Sequence, residues 1–128
     1  MTPRGIIALG ALLAGLAVAI GAFGAHGLQG RVAPPMLAVF ETGVRYHFYH
    51  AFALVLVGLF GGSATLSAGI TGALAAAAWC FLAGIAVLSG SLYVLVLTEQ
   101  RWIGAITPIG GLAFIAGWVL FARAALAR

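Results

Sequence analysis

The sequence predicts an all-α fold, an integral membrane four-helix bundle forming a single transmembrane domain over residues 1–128. Three observations predict it. Of the 128 residues, 64% are hydrophobic and 6% charged, whereas soluble domains carry about 25% charged residues. Mean hydropathy is +1.20. The apolar residues also fall into four runs, each long enough to cross a hydrocarbon core of about 30 Å, which takes about 20 residues of helix.

The first span is expected at 6–25. Its basic start and small-residue end resemble a secretory leader, but the apolar run is longer than a typical leader core, so it is read as a span. Gly10 and Ala14 give it a small-xxx-small edge that lets a neighbouring backbone come close in lipid. The loop "HGLQGRVAPP" follows, carrying His26, Gln29 and Arg31.

Pro35 suits a first helical position, where its missing N–H would be unpaired anyway. The second span is therefore expected at 35–61, unbroken past His50. "GGSATLSAG" reads as a short uncharged turn before a third span at 70–97, within which Ser89, Gly90 and Ser91 mark a kink or close contact. Glu99, Gln100 and Arg101 form the next turn. The fourth span is expected at 103–125, with Thr107 as N-cap and Pro108 at the first helical position. A single helix kinked at that proline is favoured over a separate interfacial segment at 102–106.

Net charge is +4, from arginines scattered at positions 4, 31, 45, 101, 123 and 128. Each lies near the end of an apolar run, a pattern that suits lipid headgroups and argues against nucleic acid. Arg4, Arg123 and Arg128 fall on one side of the membrane, and Arg31, Arg45 and Arg101 on the other. Holding Arg45 within the bundle breaks the tie toward cytoplasmic termini. The lone Cys80 excludes a disulfide framework and a thiolate metal site. The chain has no aspartate, so no Ser-His-Asp set exists, and no Gly-rich phosphate loop follows a strand. No catalytic residue, cofactor or metal is assigned.

Polar residues concentrate in "ETGVRYHFYH", Glu41 to His50. Glu41, Arg45 and Tyr49 form one i, i+4 stripe with the acid N-terminal to the base, the favoured order for an ion pair. His47 and His50 lie on another face. Four readings remain open for this segment with Tyr46 and, from the end of span one, His26. It is an interfacial aromatic belt, a metal or haem site, a proton or quinone site, or an ion-paired joint inside the bundle. Stable metal sites usually need three or four ligands, and carboxylates are scarce here. The joint reading treats Glu41 and Arg45 as a coupled unit enclosed by other helices.

The blocks "GAFGAHGL" (21–28), "FETGVRYHFYH" (40–50), "FLAGIAVLSGSLYVLVL" (81–97) and "GAITPIGGLAFIAGW" (104–118) together resemble the domain of unknown function 423 family. That family comprises small bacterial inner-membrane proteins, with transmembrane protein 256 as an animal relative. The resemblance implies a four-helix membrane protein of this size in the inner membrane and offers no catalytic residue to carry over. The functional expectation is a non-enzymatic accessory or assembly component. Its expected partners are membrane lipids and, through its small-residue faces, a second copy or a larger membrane complex. The alternative is a small-molecule, proton or metal-handling protein built on the histidines.

Overall fold

The computed structural model describes residues 1–63 and 68–127. Residues 64–67 of the turn read at residues 61–69 lie outside that range, as does Arg128. Among the described residues all regular structure is helical, and four runs are long and apolar enough to cross a membrane: Pro3–Leu28, Pro34–Gly61, Gly72–Thr98 and Arg101–Leu126.

Helix α1 spans Pro3–Phe23, three residues earlier than expected. Thr2 accepts a hydrogen bond from the Gly5 N–H on its Oγ1 at 3.1 Å, with Pro3 opening the helix. The same Thr-Pro start signal was read only at 107–108. A π-helical turn, Gly24–Leu28, carries the run to the loop. Helix α2 spans Pro34–Gly61 without a break. Helix α3 spans Ala68–Gly84, and a π-helical turn at Ile85–Ser89 joins it to helix α4, Gly90–Thr98. The irregularity expected at Ser89 to Ser91 is thus a widened turn ending at Ser89.

The fourth run differs from the expected kinked helix. Arg101–Ala105 is a separate 3₁₀ turn, and helix α5 spans Thr107–Leu126. Pro108 has no N–H to return to Gly104, so the α-helical ladder cannot pass through it. Thr107 is not the N-cap. That position falls to Ile106, and the Thr107 hydroxyl is spent elsewhere.

Neighbouring spans run antiparallel. Gly10 of α1 faces the Ala51 carbonyl and Val55 of α2, while Gly58 of α2 faces Ile7 and the Pro3 carbonyl. A Cβ at Gly10 or Gly58 would lie 2.8 Å from those carbonyls. Helices α3 and α5 clasp each other in the same way, with aromatic rings. Phe81 of α3 lies over Gly117 of α5, and Phe114 of α5 lies over Gly84 of α3. The two halves of this clasp are the matching tetrapeptides "FLAG" at 81–84 and "FIAG" at 114–117. One turn along, Gly110 packs on the backbone of Leu88.

The core runs through the middle of this arrangement, from Leu54 and Val57 of α2 to Ala77, Ala78, Phe81 and Ile85 on the third span and Phe114 of α5. Helices α2 and α3 are inner and α1 and α5 outer: over an 18-residue apolar stretch of each span, 44% of the second and third is buried, against 17% of the first and fourth. Leu12, Leu16 and Val18 of α1, and Ile109, Leu112, Ile115 and Val119 of α5, face outward.

Gly84→Ala and Gly110→Ala push a methyl into a ring and a backbone respectively, and each is expected to destabilise by about 1–3 kcal/mol. Gly15 has open space around its missing Cβ. Gly15→Ala should be neutral or stabilising by up to about 1 kcal/mol. Thermal melts of the three variants in one detergent test this, and equal behaviour would refute the packing.

Candidate functional site

Among the buried residues of α2, which also include Ala51, Ala53 and Gly58, a repeat runs through Phe40, Gly43, His47, His50, Leu54 and Val57. Their spacing alternates three and four, the seam of a helix packed along its length. Both histidines therefore occupy core positions. His47 is 3% exposed and His50 5%.

His50 is held on every side. Its Nδ1 lies 2.7 Å from the Tyr46 carbonyl, and the Trp118 indole N–H donates to its Nε2 at 3.2 Å. A carbonyl only accepts and an indole N–H only donates. Nδ1 therefore carries the proton, Nε2 carries the lone pair, and the ring is neutral in this arrangement. The imidazole stacks on Phe114 with centroids 3.4 Å apart and planes at 7°, and the Phe81 ring lies tilted beside it with centroids 5.7 Å apart. The glycine clasp thus sets the floor on which His50 rests. An apolar cleft of about 570 Å³ opens beside the ring, lined by Tyr46, Tyr49, Phe114 and Trp118 among others.

His47 joins α2 to α4. Its Nδ1 lies 3.1 Å from the Tyr93 hydroxyl, and Gly43, one turn back, makes room for the Tyr93 ring. Its Nε2 is buried without a hydrogen-bond partner, as is Ser89 Oγ. The Leu13 carbonyl of α1 is within electrostatic reach of the His47 ring. A third polar contact ties α4 to α5. Ser91 Oγ donates to the Leu88 carbonyl at 2.9 Å and lies 2.7 Å from Thr107 Oγ1. With the serine proton spent on that carbonyl, Thr107 is the donor between the two hydroxyls.

The remaining residues of the polar segment lie apart from this seam. Glu41 and Arg45 are exposed, on the side of α2 opposite its buried face. Among the described residues no ion pair joins them; Arg45 Nη2 instead donates to Thr42 Oγ1 at 3.4 Å. The enclosed, coupled joint expected of Glu41 and Arg45 is corrected on this point. The joint exists, but the histidines form it. Tyr46 and Tyr49 are exposed at 42% and 57%, and both line the cleft beside His50. His26 is exposed on the π-helical turn. Among the described residues no group of three His, Cys, Asp or Glu side chains is placed to hold a metal ion. Sequence reading missed Trp118, Phe114 and Tyr93 as partners of the histidines. The seven-residue repeat of α2 was the available signal, since it turns both histidines toward the other helices.

Two measurements test these assignments. Nitrogen-15 spectra of histidine-labelled protein in nanodiscs should find His50 protonated at Nδ1, and Trp118→Phe should destabilise by about 1 kcal/mol. An Nε2-protonated ring would contradict the bonding described. For His47, the cycle of His47→Phe, Tyr93→Phe and the double variant should give a coupling of about 1 kcal/mol. Strict additivity would mean the two groups do not bond.

The family model described as "Protein of unknown function (DUF423)" matches residues 20–111. The chain is 48% identical over 120 residues to the UPF0382 membrane protein YwdK of Bacillus subtilis (strain 168), covering 94% of each chain. It is 46% identical over 114 residues to the UPF0382 membrane protein SAB0533 of Staphylococcus aureus (strain bovine RF122 / ET3-1), covering 89% of this chain and 88% of the relative. No solved structure matches it.

Proposed function

The chain belongs to the DUF423 family of membrane proteins, and on that premise we propose that it works without chemistry of its own, as an accessory or assembly component. One observation carries this reading. Both ring nitrogens of His50, the most enclosed titratable group beside a cleft, are spent on partners within the chain. A histidine so held is a spacer between helices, and neither nitrogen is left for a metal or a reacting substrate. The apolar outer faces of α1 and α5 supply surface for lipid, a second copy or a larger complex.

Within this reading the protein is a multi-pass component of the cell's inner membrane with cytoplasmic termini. Arg45 is exposed and not held within the bundle, but it lies eleven residues inside α2, deeper in its span than Arg4, Arg101 or Arg123 in theirs, and so weighs least in the positive-inside comparison. That leaves Arg4, Arg123 and Arg128 on the terminal side against Arg31 and Arg101 on the other.

A second reading, a small-molecule or proton-handling protein, is favoured by the bare Nε2 of His47. Native mass spectrometry of the protein from mild detergent separates the two. The assembly reading expects a fixed stoichiometry with a second copy or another polypeptide, lost when Leu112 and Ile115 on the α5 outer face are changed to Ser. A bound small molecule or metal, released by His47→Ala, would overturn it in favour of the second.

A further inference from the structure

Helix α2 has 28 residues and so is about 42 Å long at about 1.5 Å per residue, well beyond a hydrocarbon core of about 30 Å. The surplus of about 12 Å is assigned to its N-terminal end, because α2 carries its only charges, Glu41 and Arg45, in that half, on the side of Arg31 and Arg101. Glu41 is two turns inside the start at Pro34 and Arg45 one turn deeper along α2. The two charges share one groove of about 280 Å³ between α1 and α2, with Gly21, Phe40 and Val44 as its other walls. Thr42, which receives the long Arg45 bond, lies toward the headgroup end, so the guanidinium leans outward as an intramembrane arginine must. That single 3.4 Å contact leaves most of its five donors unused.

We propose that this groove binds the headgroup of an aminophospholipid, with the phosphate on Arg45 and the primary ammonium on Glu41. The order of the two charged residues along α2 selects this occupant. In a phosphoethanolamine lipid the phosphate is attached next to the glycerol and the ammonium lies two carbons beyond it, toward water. The groove offers the complementary side chains in that same order along α2, with Glu41 one turn nearer the helix start than Arg45. An anionic phosphatidylglycerol would meet Arg45 equally well but leave Glu41 facing a neutral, hydrated glycerol. Phosphatidylcholine has the right charge order, but its trimethylated ammonium offers no N–H to the carboxylate. The apolar walls, Phe40 and Val44, lie beside the start of the acyl chains. A guanidinium on a phosphate gains from bidentate geometry and from low local dielectric, and Glu41 adds the discrimination among headgroups.

This proposal is independent of the assembly reading and is tested without it. The protein is extracted in mild detergent and delipidated. It is then incubated with an equimolar mixture of phosphatidylethanolamine, phosphatidylglycerol and phosphatidylcholine of one acyl composition, and retained lipid is read by native mass spectrometry. Wild type should retain phosphatidylethanolamine in preference to both others. Glu41→Gln should lose that preference by about tenfold, the scale of one charge-assisted hydrogen bond, and shift retention toward phosphatidylglycerol. Arg45→Gln should lower retention of all three. The doubly exchanged variant Glu41→Arg/Arg45→Glu is the most selective arm, because it keeps every charge but inverts their order. It should lose the phosphatidylethanolamine preference while a pairing between two copies of the chain would survive. Circular dichroism and a single elution peak establish that it folds, and if it does not, Glu41→Gln decides alone. Equal retention of the three lipids by wild type, or an unchanged preference in the exchanged variant or in Glu41→Gln, overturns the proposal. So does a dimer that Glu41→Gln breaks and the exchange restores.

Discussion

The constraint on which the rest depends is that helices in lipid gain no hydrophobic advantage from meeting one another, so they must gain it by close packing. Here close packing is achieved by setting aromatic rings on glycines. Phe81 over Gly117 and Phe114 over Gly84 lock α3 to α5, and α2 then adds its seam to the result. Phe114 is shared. One face of its ring meets the bare backbone of α3, and the ring stacks on His50. The polar contacts follow from that geometry, since Trp118 is one turn beyond Phe114 and reaches His50 Nε2 from the same helix.

Buried polar side chains in such a bundle act as positional locks more than as a source of net stability. Each of the three contacts, His47 with Tyr93, His50 with Trp118, and Ser91 with Thr107, joins a different pair of helices: α2 with α4, α2 with α5, α4 with α5. Sliding any one helix by a turn would break a contact and strand a polar atom in hydrocarbon, at a cost of several kcal/mol. Apolar packing alone specifies register less sharply. The three pairs together close a triangle among α2, α4 and α5, which α1 joins by packing on α2 through its glycines and through apolar side chains such as Ile6 and Phe23.

The spans were legible because length and hydropathy suffice for them. Their interior was less so, for a physical reason: in lipid, polarity does not distinguish the inward from the outward face as it does in water. The stripe of Glu41, Arg45 and Tyr49 was visible as a stripe, but its direction depended on which residues pack. The repeat of Phe40, Gly43, His47, His50, Leu54 and Val57 answers that, because small and aromatic residues at alternating three and four spacing mark the packed side. The paired tetrapeptides "FLAG" and "FIAG" carried the α3 to α5 clasp openly in the sequence, although nothing local says that one is the other's receptor. Thr-Pro marked a helix start at both of its occurrences, yet only Thr2 caps. Thr107 is drawn into the bundle by Ser91, a contact that sequence separation hides.

The opening of α2 therefore has two faces with different physical roles. Inward, His47 is tied to Tyr93 and His50 to the Tyr46 carbonyl and Trp118, and their environment rewards immobility. Outward, Glu41 and Arg45 face away from the packed side of α2, and an exposed charge within a membrane span is stable only in contact with water, phosphate or an opposite charge. One helical segment can do both because the two sets are nearly half a turn apart around its axis. Exchanging an inward for an outward residue would bury a charge and expose a histidine to lipid at once, so the clustering of polar residues at 41–50 is a consequence of geometry on two surfaces and does not imply that they act together on one substrate.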